Sequence, residues 1–394
     1  MKSLRQPPPR PAKAVTSSLL VEAEKYVKRL SRQKATPREI PKELWPQALS
    51  VIERAELSAI ETALLPLRHR AKKTAPGVRD IVIRPSAGWS IRRKRRPLRN
   101  LGIVLDRLPS PQVPTLLSTA VAAEHMAVEH AIATAPDEPQ GGVSALVLAA
   151  ADMTGLSRFA ALRPEDAVVG LSLGLWGLPR CDVIVVSWSP RIEALTRVLS
   201  GLSPTRILLA GFRDLLVVAE GEADPRQIAL ELAAQAERCP QGRQGVVSPS
   251  RSLNRALRKA IKEISESAAT GAFVVQVDDM AGAMDLADRM GPDIIWLLAA
   301  QPETWIQDLR WNAPVLVGTN SPPALTELAA PPAWVSGAGP SNALSPAHFV
   351  QERFIEELTT ERHHKIALAA ARIAESEFRP ISARAAAWVR HNRS

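Results

Sequence analysis

The sequence contains 394 residues, of which 46% are hydrophobic and 23% are charged, and this composition indicates a folded protein rather than a disordered chain. Its length allows two or three domains, whereas its two cysteines are too few for a disulfide framework or a cysteine-rich zinc site. Because it has neither a long apolar run nor a secretory signal, we expect a cytoplasmic protein without a membrane span.

Positive charge is concentrated in the first quarter of the chain. Residues 1–100 contain 24 Lys and Arg against 8 Asp and Glu, a net charge of +16, whereas the remainder has a net charge of −6. The densest part is a run of five cations, Arg92, Arg93, Lys94, Arg95 and Arg96. This run predicts a patch for an anionic partner, either a nucleic acid, an acidic protein or a phosphorylated ligand. A solvated basic surface without a partner is the alternative.

The first hundred residues divide into an arm and a helical segment. Residues 1–16 hold prolines and basic residues, which predict a disordered arm. Residues 17–100 form a basic, mainly helical segment. In it, apolar spacing predicts helices over about 17–35 and 42–73 and a short strand at 80–84.

Beyond residue 100, apolar runs typical of buried strands alternate with helical segments. The predicted strands are 102–105, 181–186, 206–209, 214–218, 272–277, 293–298 and 314–317. The predicted helices are 114–130, one that opens at 142–144, and 190–200, 225–238, 251–267, 281–289 and 349–375. The alternation predicts an α/β protein with two doubly wound, Rossmann-like parallel-sheet domains and flanking helical segments.

The predicted boundaries follow from the same pattern. We place the first Rossmann-like domain at 101–245, with part of the chain end available to pack on it, and the second at 246–345. The C-terminal helical segment, 346–394, is available for exchange between the subunits of a dimer.

Short motifs with a known mechanism are missing from the sequence. It has no G-x-G-x-x-G, P-loop, H-E-x-x-H or G-x-S-x-G, and its seven histidines show no metal-binding spacing. The residue chemistry alone therefore names no reaction.

The order of segments over roughly residues 88–390 is more informative. The informative stretches are 96–104, SALVLAAADMTG at 144–155, 181–201, ILLAGFRDLLVVAEGEADPRQIALELAAQAER at 207–238, and 313–329. Together they resemble the histidinol dehydrogenase family. The resemblance implies a zinc-dependent, two-step oxidation of an amino alcohol to an amino acid by NAD. It also implies an intertwined homodimer whose active site includes the partner's C-terminal segment.

Carried over residue by residue, the family's metal ligands are degenerate in this chain. Gln235 matches the family's Gln, but Arg238 replaces its His, Glu327 its Asp and Ser382 its second His. An arginine cannot ligate a cation and adds a fixed positive charge. We therefore expect no zinc.

The acid–base and cofactor positions have changed as well. Where the family has Glu and His, this chain has Asp293 and Ile294, which leaves Asp293 as the sole candidate for a residual base. The family's NAD contacts fall on Val104, Asp166 and Ser189 in place of Tyr, Gln and Asn. We therefore expect no NAD.

These substitutions favour one function over two alternatives. We expect a histidinol-dehydrogenase-like protein that has lost its dehydrogenase activity and acts as a binding or regulatory subunit, a homodimer with an anionic partner at its basic region. The first alternative is an enzyme with altered chemistry on an anionic or amino-acid-like metabolite, in a cleft lined by Arg213, Gln235, Arg238, Asp293, Glu327 and Glu377. Glu377 would match the family's substrate-contacting Glu. The second alternative is an active NAD-dependent histidinol dehydrogenase.

Overall fold

A computed structural model of the chain describes residues 16–32, 36–75, 79–86, 89–107, 112–139, 141–264, 271–307, 309–325, 333–335, 344, 346–358 and 360–387. The chain divides into two compact units, the first built from 1–75 and 98–349 and the second from 76–97 and 350–394. Except for Thr16, the predicted arm lies outside the described residues.

Helices and strands alternate through the first unit, and the second unit contributes a small sheet and two helices. The helices are α1 (Ser17–Leu30), α2 (Trp45–Val51), α3 (Arg54–Thr74), α4 (Gln112–His125), α5 (Ala145–Met153), α6 (Pro164–Leu173), α7 (Pro190–Leu199), α8 (Pro225–Arg238), α9 (Arg251–Ile264), α10 (Met280–Met290), α11 (Pro302–Ile306), α12 (Thr360–Ser376) and α13 (Pro380–Ala387). The strands are β1 (Arg38–Glu39), β2 (Ile81–Ser86), β3 (Trp89–Pro97), β4 (Asn100–Val104), β5 (His130–Ala135), β6 (Arg158–Ala161), β7 (Val183–Ser187), β8 (Arg206–Ala210), β9 (Leu215–Ala219), β10 (Gln244–Ser248), β11 (Ala272–Gln276), β12 (Ile294–Leu298), β13 (Val315–Val317), β14 (Ala333–Val335) and β15 (Val350–Leu358).

The first sheet has the strand order β1-β6-β5-β4-β7-β8-β14. Its five central strands are parallel, and β1 and β14 pair antiparallel at its edges. β7 is buried along its whole length, which explains its continuous apolar sequence. The strand order reverses between β4 and β7, and the carboxyl ends of strands at such a switch point flank the crevice where α/β proteins bind ligands.

The second sheet has the order β11-β10-β9-β12-β13 and is parallel throughout. Its central strand is β9, so the two sheets meet in the turn Gly211–Asp214, and the second sheet begins before the boundary that the sequence predicts after residue 245. Periodicity marks β9 as a buried strand. Periodicity does not tell which sheet β9 joins, because that depends on pairing with β10 and β12 from distant parts of the chain.

The fold class predicted from the sequence, α/β with two parallel Rossmann-like sheets, is confirmed.

Helix starts in the first unit carry the side chains that satisfy unpaired backbone N–H groups. Ser189, Asp224 and Asp279 accept hydrogen bonds from the first turns of α7, α8 and α10. Proline is the first helical residue of α7 and α8, where its missing N–H has no cost. These caps fix where each helix leaves the adjacent strand, and they position the side chains described below.

Several predicted elements differ from the observed ones. The patterns miss β3, β5, β6 and β10, and the helix predicted over 42–73 is interrupted between α2 and α3 at Ile52–Glu53. The helix predicted over 349–375 is also wrong in its first part, because 350–358 forms β15 before α12 begins. All nine residues of β15 pair with β3, and this pairing overrides the helical spacing of its apolar residues.

The second unit contains the antiparallel sheet β15-β3-β2 and the packed helices α12 and α13. The basic run Arg92–Arg96 lies in β3, and β15 presents carboxylates beside it. Arg95 donates from Nε to Glu352 at 2.6 Å, and Arg92 pairs with Glu357. The run is therefore partly neutralised, and its residues alternate between the two faces of a sheet.

In the described part of the chain, the helices are all too short or too polar to traverse a bilayer.

Candidate functional site

The junction of the two sheets collects most of the predicted cleft residues. β8 ends at Ala210 and β9 begins at Leu215, so Arg213 and Asp214 stand at the amino end of β9. Asp293 immediately precedes β12, which is parallel to β9 and hydrogen-bonded to it. The starts of two neighbouring strands thus bring Arg213 and Asp293 together.

Both carboxylate oxygens of Asp293 accept hydrogen bonds. The guanidinium of Arg213 donates from Nε to Oδ2 at 3.0 Å and from Nη2 to Oδ1 at 3.1 Å. The backbone N–H groups of Arg213 and Asp214 donate to Oδ2 at 2.8 and 3.2 Å. Only 1% of Asp293 is exposed. For Asp293 to act as a base, its contact with Arg213 would first have to break.

The first sheet supplies a second carboxylate to Arg213. Glu193, buried in the first turn of α7, lies 3.7 Å from Nη1 of Arg213. Glu193 also accepts from Trp188 Nε1 at 2.8 Å and from Arg197 Nη2 at 2.7 Å. The Arg213 guanidinium lies over the Trp188 ring, 5.4 Å from its centroid. Arg213 therefore joins the carboxyl edge of the first sheet to the amino edge of the second.

The pKa of Arg213 is raised above its ordinary value. Burial on its own would lower it, but the hydrogen bonds and charge of Asp293, together with the charges of Asp214 and Glu193, outweigh burial. A positive charge is therefore fixed at this junction at every physiological pH.

Gln235 and Arg238, at the end of α8, form a second part of the network. Gln235 is 1% exposed, and its Nε2 donates to the carbonyl groups of Phe212 at 2.8 Å and Arg213 at 3.2 Å. Its Oε1 accepts from Arg238, with Nη2 at 3.0 Å and Nε at 3.3 Å. The amide oxygen that could ligate a metal is thus bonded to a cation.

This set of donors does not fit a zinc ion. Zinc sites in proteins use thiolate, imidazole and carboxylate ligands, usually four of them. Among the described residues, no three His, Cys, Asp or Glu side chains are grouped so that they could hold a metal. Glu327 lies outside the described residues, and Ser382 is exposed on α13 in the second unit.

Asp214 and Arg243 form a further ion pair that locks the turn between the sheets. Asp214 accepts from the backbone N–H and from Nε of Arg243, both at 2.8 Å. The chain passes so close at Gly242 that a Cβ there would lie 1.9 Å from the carbonyl oxygen of Arg213. Burial raises the pKa of the nearby Cys239 thiol to about 12, so this thiol is protonated and unreactive at neutral pH.

The three positions carried over from the family's NAD contacts are engaged in the chain's own packing. Val104 is fully buried at the end of β4. Asp166 accepts from the Tyr26 hydroxyl at 2.6 Å and from Arg163 Nε at 2.7 Å. The Ser189 hydroxyl caps α7. Residue for residue, these positions do not fit the dinucleotide contacts of the family.

An open groove of about 530 Å³ lies beside these positions, between α1, α6 and α7. Its charged lining consists of five cations and two carboxylates: Lys25, Arg29, Arg107, Arg163, Arg191, Glu22 and Glu165. This balance suits a small anion. The groove was not predicted from the sequence, because the cations that line it come from four separate segments of the chain. The basic residues of α1 were the one feature of the sequence that pointed to it.

Other residues fall outside these clusters or had escaped the sequence patterns. Glu377 is exposed just after α12 in the second unit, where it pairs with Arg379. Glu193, Asp214 and Arg243 complete the junction network without having been predicted. Asp214 and Arg243 directly precede β9 and β10, and this position was the signal that could have identified them.

Comparison with known proteins places these observations in a family context. The sequence profile of histidinol dehydrogenase matches residues 14–390. The histidinol dehydrogenase of Thermus thermophilus is 28% identical over 306 residues, which cover 75% of this chain and 72% of that protein. That of Pseudomonas putida is 28% identical over 302 residues, which cover 72% of this chain and 68% of that protein.

Solved structures are similar in fold. The crystal structure of histidinol dehydrogenase from Elizabethkingia anophelis aligns with a TM-score of 0.79 at 16% identity, over 98% of this chain and 94% of that one. A succinate-semialdehyde dehydrogenase from Burkholderia pseudomallei aligns with a TM-score of 0.53 at 10% identity, over 88% and 86%. At these identities the likeness concerns the fold alone.

Proposed function

Since this chain belongs to the histidinol dehydrogenase family, we propose that it is a divergent member that has lost the zinc- and NAD-dependent dehydrogenase activity and serves as a binding or regulatory subunit. One observation carries this proposal: Arg238 replaces the family's zinc-binding His and donates to Gln235, the remaining amide ligand. A guanidinium in this place repels a metal cation and withdraws the oxygen that would bind it.

The acid–base positions support the same conclusion. Asp293 is neutralised by Arg213, and Ile294 is a fully buried apolar residue at the start of β12. An oxidation that removes protons from an alcohol needs a group that can accept them. Neither side chain meets that need in this arrangement.

A chain that keeps its two sheets while these groups change is suited to a binding role. We propose a homodimer, as the family resemblance implies, and a location in the cytoplasm, as the sequence composition predicts. We also propose that an anionic partner, a nucleic acid, an acidic protein or a phosphorylated ligand, binds the basic region that contains Arg92–Arg96.

The first test measures zinc and activity in the same preparation. We expect far less than one zinc per chain by elemental analysis of protein purified without chelator, and no NADH formation from histidinol and NAD. The histidinol dehydrogenase of Thermus thermophilus, purified in parallel, is the positive control. One zinc per chain together with NADH formation would overturn the proposal.

The groove beside α1 favours a second candidate function, an altered chemistry on an anionic metabolite. Its lining holds five cations against two carboxylates, and Arg and Lys side chains bind phosphate and carboxylate groups. For this second function, the ligand would bind in the groove and not at the junction of the two sheets, because Arg213 and Asp293 are already hydrogen-bonded to each other there.

Ligand binding at the groove is testable without knowing the metabolite. Inorganic pyrophosphate should raise the unfolding temperature of the native chain, because a ligand that binds the folded state stabilises it. The variant Arg107→Gln/Arg191→Gln should lose this shift, and Arg255→Gln on the exposed side of α9 should keep it. An equal shift in all three proteins would exclude the groove.

A further inference from the structure

The small sheet of the second unit sorts its charges onto opposite faces. Successive residues of a strand point to opposite sides, and the register of β3 with β15 places Lys94 opposite Arg353 and Arg95 opposite Glu352. We call the side that carries Lys94 the cationic face. Its charged residues on β3 and β15 are Arg92, Lys94, Arg96, Arg353 and Glu357. Asp80, just before β2, falls opposite Lys94 when the register is extended by one residue.

The opposite face is balanced in charge and partly apolar. It carries Arg93 and Arg95 together with Glu352 and Glu356, and Glu352 lies 2.6 Å from Arg95 Nε. Its exposed apolar residues are Ile81, Ile83, Phe354 and Leu358. The excess positive charge of the sheet therefore belongs to the cationic face.

One pair on the cationic face works against the stability of the sheet. Lys94 and Arg353 are directly opposite each other on β3 and β15, and both are exposed. Side chains in such positions have Cβ atoms about 4.5–5.5 Å apart, and like charges there destabilise the pairing. Glu357, the one carboxylate that β15 presents on this face, is paired with Arg92, and the Asp80 carboxylate accepts from the backbone N–H of Arg95 at 2.7 Å. A bound anion between Lys94 and Arg353 would remove this repulsion.

The arrangement of the cations indicates an extended anion. Arg92, Lys94 and Arg96 form a straight row along β3, with a spacing of about 6.7 Å between alternate residues of a strand. Arg353 extends the row sideways onto β15. Guanidinium groups match phosphate oxygens in a bidentate geometry. A polymer with regularly spaced phosphates can contact the whole row at once.

We propose that the cationic face binds the phosphate backbone of double-stranded nucleic acid without sequence preference. This inference deepens the binding role proposed above. It depends on that proposal only in assuming that the protein has a binding partner. The aromatic side chains of the sheet, Trp89 and Phe354, lie on the opposite face, so bases cannot stack on the cationic face as they do on single-strand binding surfaces. Backbone contacts alone give affinity that does not depend on sequence.

A protein partner fits the cationic face less well. Protein interfaces have an apolar centre with aromatic anchors and a charged rim. On this face the apolar residues are Val82 and Ile355, and charged side chains occupy the middle of the strand. The balanced, apolar side of the sheet has the composition of a protein interface.

Fluorescence anisotropy of a labelled DNA duplex of mixed sequence, titrated with the full chain, tests the proposal. Three phosphate contacts predict a slope of about −2.7 for log K against log salt, so affinity should fall about 40-fold between 50 and 200 mM salt. The variant Lys94→Gln/Arg96→Gln/Arg353→Gln should bind at least about 10-fold more weakly and show a slope close to zero. A duplex of unrelated sequence should bind equally well.

A matched control separates the cationic face from the overall positive charge of the chain. The variant Arg251→Gln/Arg255→Gln/Lys262→Gln removes three exposed cations from α9 and should keep most of the affinity. Equal losses in the two triple variants would overturn the proposal. Competition by poly-glutamate at equal charge concentration would also overturn it, because the face would then be assigned to an acidic protein. Absence of DNA binding at 50 mM salt would overturn it as well.

A single substitution keeps the test valid if the triple variant fails to fold. Arg353→Glu converts the like-charged pair with Lys94 into an opposite-charged pair. It should raise the unfolding temperature while weakening DNA binding, a combination that general damage to the fold cannot produce. Unchanged binding in Arg353→Glu would contradict the proposal. These readouts do not involve zinc or NADH, so their failure is distinguishable from failure of the proposed loss of dehydrogenase activity.

Discussion

Arg213 and Asp293 are 80 residues apart in the sequence, yet two parallel hydrogen bonds of 3.0 and 3.1 Å join their side chains at the junction of the two sheets. Each residue precedes a strand of the second sheet, and Arg213 also contacts Glu193 from the first sheet. The pair therefore connects the two sheets. Asp293 could have served a substrate as a base and Arg213 as a cation, but the two side chains are bonded to each other.

Removal of the cation from this pair should be strongly destabilising. We expect Arg213→Met to lower the free energy of unfolding by about 3–5 kcal/mol, because the buried Asp293 carboxylate loses its partner. The double variant with Asp293→Asn should recover part of that loss. Urea unfolding followed by circular dichroism measures both values. As a control, Arg289→Met removes an exposed pair with Asp285 and should cost less than about 1 kcal/mol. A loss below 1 kcal/mol for Arg213→Met would show that the pair is not important for stability.

Gln235 should act as a structural amide and not as a metal ligand. Gln235→Ala leaves the carbonyl groups of Phe212 and Arg213 and the Arg238 guanidinium without this partner, so we expect a loss of at least about 2 kcal/mol in the free energy of unfolding, measured in urea. Gln235→Glu should also be destabilising, since its carboxylate cannot donate to the carbonyl groups of Phe212 and Arg213. The exposed Gln47→Ala serves as the control. Zinc-dependent stabilisation of Gln235→Glu would argue for a metal site instead.

Tyr26 should resist ionisation in the folded protein. Burial raises its pKa above the ordinary value of 10, and the hydrogen bond and charge of Asp166 raise it further. Since the folded-state pKa exceeds the unfolded one, the neutral phenol contributes stability that is complete below about pH 10 and is lost as the pH rises above it.

The chain has a single tyrosine, so its phenolate absorbance is unambiguous. At pH 11 in urea about nine-tenths of the tyrosine should be ionised, and in the folded protein far less. Asp166→Asn should lower the folded-state pKa, and Tyr26→Phe should abolish the signal. Equal ionisation in the folded and unfolded protein would contradict the observed contact.

Both cysteines should be inert until the protein unfolds. Burial raises the pKa of Cys181 and of Cys239 to about 12 from the usual 9.0, so both thiols are protonated at neutral pH. Their protonated form contributes stability below pH 9, and this contribution is lost as the pH rises from 9 towards 12. Ellman's reagent at pH 8 should label neither thiol in the native chain and both in urea. An exposed Ser252→Cys variant is the positive control, and rapid native labelling of Cys239 would exclude the buried geometry.

Local patterns identify most of the elements of this fold. The strand at β12 and the helix α8 follow directly from an apolar run and from Asp224-Pro225 at the helix start. β3 and β15 were not predicted because they are charged, largely exposed strands that are stabilised by pairing with distant parts of the chain. The register shows how the consecutive cations of β3 divide between the two faces of the sheet.

The candidate site was also predictable from the sequence only in part. The sequence alone predicts that Arg238 and Ile294 stand where the family has histidines, because that prediction needs only the order and spacing of residues. The clustering of Arg213, Gln235, Arg238 and Asp293 was an expectation, and the structure adds that these groups are bonded to one another. A sequence lists charged residues but does not tell whether a charge faces a ligand or a neighbouring side chain.

The sequence by itself determined the family and the α/β class, because each depends on residue identity and on spacing along the chain. Tertiary structure alone decided the sheet to which β9 belongs, the pairing of Arg213 with Asp293, the basic groove beside α1 and the sorting of Arg92–Arg96 onto two faces. These features depend on which distant segments hydrogen-bond to each other, and backbone pairing in a sheet is set by the packing of the whole chain.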